Sequence, residues 1–221
     1  MAKQNPQPAD SRDMYAVHIM FRREFEALPA LIRGVAAHDR ARTQIVADHV
    51  ALMVDFLHVH HRGEDDHCWP KLASRGPQDV APIVELMQSQ HKIVDAVLQD
   101  AERQTATWRA SGTVGDRDAL AATIDGLLSP LFEHLDTEEK NILPLIDRHL
   151  TADEWADVGN KSLVNVPRSK VPVLFGMLLQ DASSEHRALF KEAIPTPVFA
   201  MMSRVGPIAL KRYRRKVFAS R

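Results

Sequence analysis

His60 and Glu64 stand four residues apart, and so do His134 and Glu138. In a helix that offset puts an imidazole and a carboxylate on one face, one turn apart. The spacing alone is not selective. With 29 acidic residues among 221 positions, a histidine meets an acid at that offset in roughly one case in eight. The eleven histidines nevertheless include five such pairs, the others being His61/Asp65, His91/Asp95 and His149/Asp153. Which pairs matter depends on where the helices carry them.

Four long segments have apolar residues at alternating steps of three and four, the mark of helices with one buried stripe. The first runs from about Arg12 to Ala37 with Met14, His18, Phe21, Phe25, Leu28 and Ile32 on the stripe, and Pro29 as a predicted kink. The second runs from about Arg40 to Leu72 with Val46, His49, Met53, Phe56, His60, Glu64 and His67. The third opens near Pro82 and carries Val84, Met87, His91, Val94 and Leu98. The fourth spans about Asp116 to Ile146 with Leu120, Ile124, Leu127, Leu131, His134 and Glu138, and Pro130 as a second kink.

Short turn signals separate them: His38-Asp39, Ser74-Arg75-Gly76-Pro77 and Ser111 to Gly115. Such links favour antiparallel neighbours, so the expected fold is all-α, an up-down-up-down four-helix bundle over residues 12–150. Residues 151–221 form an expected helical extension with a basic tail. A capping box, Thr151 to Glu154, opens it, and Pro195 and Pro197 break the chain before Lys211-Arg212-Tyr213-Arg214-Arg215-Lys216.

The bundle gives the histidines their meaning. His18, His60, His91 and His134 each occupy a stripe position where a core would otherwise take Leu or Phe, and a buried ring needs a partner. In antiparallel helices, two residues equally distant from the turn between them lie at one height. The midpoint of His18 and His60 is Asp39, that of His60 and His91 lies between Arg75 and Gly76, and that of His91 and His134 lies between Gly112 and Thr113. All of these fall in predicted turns. At about 1.5 Å of rise per residue, the four rings meet in one layer, with Glu64 and Glu138 one turn further along. A lone histidine on an apolar stripe is usually a core residue with a local hydrogen bond. Four at one level, two with carboxylates beside them, describe a dinuclear metal site. Imidazole and carboxylate without thiolate suit Fe, Mn or Zn rather than Cu(I), and two ions sharing carboxylates point to iron or manganese.

Composition narrows the classes. Hydrophobic residues make up 45% and charged residues 26%, and the net charge of −1 supplies no global field for nucleic acid or an anionic membrane. Neither contact is expected, and the basic tail reads as a solvated end. The one cysteine, Cys68, forms no internal disulfide and fits a reducing, cytoplasmic setting. Beside Trp69 it reads as a packed thiol.

At these residues the sequence resembles the hemerythrin-like, or HHE cation-binding, family. The family order of His, HxxxE, His and HxxxE is matched by His18, His60 with Glu64, His91, and His134 with Glu138. The strings from His60 to Asp65 and from Trp69 to Leu72 resemble that family's second helix and its exit, and the likeness covers about Asp13 to Leu150. The resemblance implies two iron ions with an oxo or hydroxo bridge, an Fe–O–Fe centre, and Glu64 and Glu138 as bridging carboxylates. It departs from the oxygen-carrying members in two places. They have a second histidine on the third helix where this chain has Asp95, and an Asp five after the fourth-helix histidine, where this chain has Glu138 at four and Glu139 at five. One histidine fewer implies a more open or more acidic site, better suited to turnover or sensing than to reversible oxygen transport. His61 and His67 are the substitutes on offer, with His61 about a third of a turn off the stripe.

The expected function is that of a non-haem di-iron protein that binds or turns over O2, peroxide or nitric oxide. A peroxidase- or catalase-like, or nitric-oxide-handling, oxidoreductase falls within that reading. The alternatives are an iron sensor or store without turnover, and an interaction protein whose bundle scaffolds the extension. The sequence identifies no redox partner.

Overall fold

The structure, a computed structural model, describes residues 6–76, 78 and 80–218. Its first helix, α1 (Asp13–Arg33), stops short of Ala37, because Gly34 and a turn end it before Asp39 caps α2 (Arg40–Gly63) by accepting from the Arg42 amide at 3.0 Å. The second predicted helix continues past Gly63 as a π-helical turn (Glu64–Cys68) and then α3 (Trp69–Arg75). Next come α4 (Val80–Ser111) and α5 (Val114–Asn141), the latter capped by Thr113. A break at Ile142 separates α5 from α6 (Leu143–His149), where Pro144 lies in the first turn.

These helices form the four-helix bundle of an all-α protein, with α1 against α2 and α5, and α4 against the same two. Among the described residues the only strand-like pairing is an isolated bridge between Pro8 and Thr151. The α1–α2 and α4–α5 turns meet at one end of the bundle, where the His38 amide donates to the Gly112 carbonyl at 2.9 Å. Gly112 has φ +64°, which glycine adopts without steric penalty, and His38 takes a matching φ of 60°. The main apolar core fills the shaft around Phe21, Phe25, Leu57, Leu98, Ile124 and Leu131. A second apolar cluster closes the other end, built from Trp69, Leu72, Met87, Ile142 and Ile146. The layer of histidines lies between the two.

Beyond the bundle, α7 (Ala152–Leu163) opens with the capping box expected of Thr151 and Glu154. It crosses the end of α2 at Gly63, where a Cβ would lie 1.9 Å from the Ser162 hydroxyl oxygen. The helices α8 (Val171–Gln180), α9 (Ser184–Ala193) and α10 (Thr196–Val217) follow. The prolines at 195 and 197 therefore start a helix that runs through the basic segment, since Pro is at home in a first turn. The end of α10 is fastened to the bundle through buried polar groups. Tyr213 meets Nδ1 of buried His49 at 3.0 Å, Arg214 pairs with buried Glu24, and Arg42 donates to the carbonyls of Lys216 and Val217.

The helices α8 and α10 touch backbone to backbone. A Cβ on Gly176 would lie 2.5 Å from the Gly206 carbonyl oxygen and 2.8 Å from Leu210 Cβ. Gly176→Val is therefore expected to cost about 2–3 kcal/mol by forcing these helices apart. Denaturant unfolding checks the loss, and the layer of histidines should be undisturbed because it lies elsewhere. No helix among the described residues is long and apolar enough to cross a membrane.

Candidate metal centre

Each bundle helix brings part of one cluster. The ring of His18 comes from α1, His60 and His61 from α2, Glu64 from the first position of the π-helical turn, His91 from α4, and His134 with Glu138 from α5. All seven are buried. The six residues expected from the sequence, His18, His60, Glu64, His91, His134 and Glu138, are thus brought together, as the turn midpoints require. Among the described residues, three groups have ligand atoms within 4.8 Å of one another: His18, His60 and Glu138; His61, His91 and His134; and Glu64, His134 and Glu138.

The groups resolve into two lobes with the carboxylates between them. In the first, His18 Nε2 lies 3.2 Å from Glu138 Oε2 and His60 Nε2 lies 3.2 Å from Glu64 Oε1. In the second, His91 Nε2 lies 3.4 Å from Glu64 Oε2 and His134 Nε2 lies 3.9 Å from Glu138 Oε2. The two oxygens of Glu64 therefore face different lobes, and Glu138 Oε2 is turned towards both. His61 completes the second lobe, stacked on His91 at 4.1 Å between ring centroids and edge-on to His134 at 5.1 Å.

A single stripe through His60 leaves His61 about a third of a turn aside. In fact α2 buries two adjacent stripes, because α1 and α4 flank it: Val46, His49, Met53, Phe56 and His60, and beside them Val50, Val54, Leu57 and His61. The run Val50-Val54-Leu57 at steps of four and three was the available signal. His67 is half-buried and belongs to none of the three groups. Asp95 and Glu139 lie one shell out, as partners of histidines. Cys68 is packed against this region, and burial beside Glu64 and Glu138 pushes its thiol pKa well up. It remains a neutral thiol.

Several rings are held from behind. His18 Nδ1 meets Glu139 Oε1 at 2.9 Å, and Glu139 is anchored by Arg22 at 2.7 Å. His134 Nδ1 meets the Gln90 side-chain oxygen at 3.4 Å, whereas His91 Nδ1, 3.1 Å from Asp65, and His61 Nδ1, 3.6 Å from Asp95, face carboxylates without an aligned hydrogen bond. Carboxylates and amides behind imidazoles fix the tautomer and direct the opposite nitrogen inward. What they direct it at is the test of fit. The Nε2 atoms of His18, His60, His61, His91 and His134, and all four carboxylate oxygens of Glu64 and Glu138, are buried without an aligned hydrogen-bond partner. A buried polar atom left unsatisfied costs about 1–3 kcal/mol, and more when charged. So many converging on one space, all lone-pair donors once deprotonated, fit cations and little else.

Proton affinities show the same crowding. Burial lowers the pKa of His60 and His61, and that of His134 to about 3. It would lower His18 and His91 too, but Glu138 and Glu139 carry His18 up to about 9, while Asp65 and Glu64 carry His91 up to about 10. Burial and the charge of Glu138 raise Glu64. Burial would also raise Glu138, yet the surrounding imidazoles, His18 foremost, hold it low.

Fold and cluster together define a cation-binding helical bundle with a buried cluster of histidine and glutamate in its core. The chain belongs to the hemerythrin family: the family model described as the hemerythrin HHE cation binding domain matches residues 10–146. No match was found among curated proteins or among solved structures.

Because His61 belongs to the second lobe alone, His61→Ala is expected to weaken a cation held there by more than the roughly 10–100-fold that loss of a merely orienting partner costs, while affinity at the first lobe stays. Metal titration followed by absorption should then show two distinct affinities in place of the parent's behaviour. Equal loss of both ions would contradict the two-lobe division.

Proposed function

We propose that the chain holds two iron ions, one in each lobe, joined by Glu64 and Glu138, and that the pair binds or turns over O2, peroxide or nitric oxide. The observation that carries this reading is the carboxylate placement, with the two oxygens of Glu64 shared between separate sets of imidazoles. Iron in such a site would supply Lewis-acid and one-electron chemistry towards small ligands. The first lobe offers His18 and His60 beside the shared carboxylates, and the second offers His61, His91 and His134. The less crowded first lobe is where an exogenous ligand has room.

With His61 in the second lobe, the centre has the five imidazoles that the loss of a third-helix histidine put in doubt. Reversible ligand binding therefore stands beside turnover within this reading. The protein's own groups do three things. Glu139 and Gln90 orient the rings of His18 and His134, so their inward nitrogens are preset. The five imidazoles are neutral donors when deprotonated, which keeps the site less anionic than an all-carboxylate one. Phe21 against His60, at 5.1 Å, and Trp69 against His91, at 6.1 Å, join the apolar clusters in excluding water. A cytoplasmic location, with no nucleic-acid partner, belongs to the same reading.

The test is optical. Anaerobically reduced, iron-loaded protein should change its absorption spectrum on exposure to O2, peroxide or nitric oxide. Recovery of the starting spectrum on ligand removal indicates binding, and consumption of added peroxide or nitric oxide indicates turnover. Protein with about two irons per chain and no spectral response to any of the three would contradict the proposal and leave an iron sensor or store.

A further inference from the structure

The exposed side of α10 has a pattern the metal centre does not use. Val198, Met201, Val205 and Ile208 follow one another at steps of three, four and three, and each is large, apolar and open to solvent, at 42%, 54%, 42% and 55% exposure. The same line continues, four residues at a time, through Arg212 and Lys216. The helix has six basic residues and no acidic one among its 22 residues. Of the basic ones, Arg214 is engaged by Glu24, whereas Lys211, Arg212, Arg215 and Lys216 have no carboxylate partner among the described residues.

We infer that this face of α10 docks the protein on an anionic phospholipid surface, with the apolar turns lying in the interface and the basic turns over the headgroups. The net charge of the chain is −1, so the attraction is local to this helix. A straight exposed line of apolar side chains running into cations is the form of helix that lies in a bilayer interface, where buried apolar area and attraction to anionic lipid act together. The opposite side of α10 is fastened to α8 and the bundle, so the docking face is presented rigidly and does not need to unfold.

The experiment is co-sedimentation of the iron-loaded chain with vesicles of phosphatidylglycerol mixed with phosphatidylcholine, and with vesicles of phosphatidylcholine alone. Binding to the anionic vesicles is expected to be saturable, at least about tenfold tighter than to the neutral ones, and weakened by salt. Met201→Glu with Ile208→Glu should weaken it by more than about tenfold. Arg212→Glu with Lys216→Glu should weaken it similarly and remove the salt dependence, and both variants should keep their helix content and iron. The inference is overturned if anionic vesicles do not bind or if both double variants bind as the parent does. It is equally overturned if Met201→Glu with Ile208→Glu instead breaks up a dimer or a complex with an acidic protein while vesicles go unbound.

Discussion

Glu64→Ala protein is expected to lose both ions together, from about two irons per chain to well below one, with affinity lower by more than about 100-fold. The expectation follows from one side chain serving two lobes, with Oε1 at 3.2 Å from His60 and Oε2 at 3.4 Å from His91. Losing a partner that only orients a ligand costs about 10–100-fold in metal affinity, so losing a group shared by two ions should exceed that range. Glu64→Gln keeps one coordinating oxygen and should fall between parent and alanine. Elemental analysis of purified protein reads the outcome, and far-ultraviolet circular dichroism shows whether the bundle still forms. Retention of one tightly bound ion in folded Glu64→Ala protein would show that the carboxylate is not shared.

Metal removal should have the second large effect, and its size should depend on pH. Two ions each bound at about 1,000 times their dissociation constant contribute about 8 kcal/mol, which for a chain of this size corresponds to a fall in Tm on the order of 20 °C. Without cations, the buried nitrogens and oxygens must take protons or remain unsatisfied. His18 and His91, with pKa values raised to about 9 and about 10, and Glu64, shifted upward, would then be protonated near neutrality. Metal uptake at pH 7 should accordingly release about three protons, so affinity falls as pH falls.

Linkage gives the sign for the metal-free form. A histidine whose folded pKa is raised contributes stability that is complete below its unfolded value near 6.5 and is lost as pH rises through the folded value. The metal-free protein should therefore weaken towards pH 9–10 as His18 and His91 deprotonate. Metal binding strengthens over the same interval, so the gap in Tm between the two forms should widen from pH 6 to pH 9. Calorimetry of both forms across that interval checks it, and a gap that narrows would contradict the assignment of these rings to the cation site.

The bundle was legible because its signals are local and repeated. The apolar stripes placed four helices, and the turns at Asp39, Gly76 and Gly112 set their heights, which was enough to bring His18, His60, His91 and His134 into one layer. What stayed hidden depends on tertiary neighbours. His61 could not be assigned from a single-stripe reading, since the width of the buried face of α2 is decided by the helices beside it. The π-helical turn that starts at Glu64 leaves no periodic signature over so few residues. The prolines before α10 read as a break, although Pro197 in a first turn is equally a start. The buried pairing of Glu24 and His49 with Arg214 and Tyr213 joins segments far apart in sequence, and no local pattern announces it.

Mössbauer spectroscopy of protein loaded with isotopically enriched iron would bear most directly on whether one cluster holds two ions close enough to interact. Carboxylates shared between the lobes predict a magnetically coupled pair: an oxidised form with a diamagnetic ground state, silent in electron paramagnetic resonance, accounting for about two irons per chain. Isolated paramagnetic ferric ions, or a single iron per chain, would contradict it.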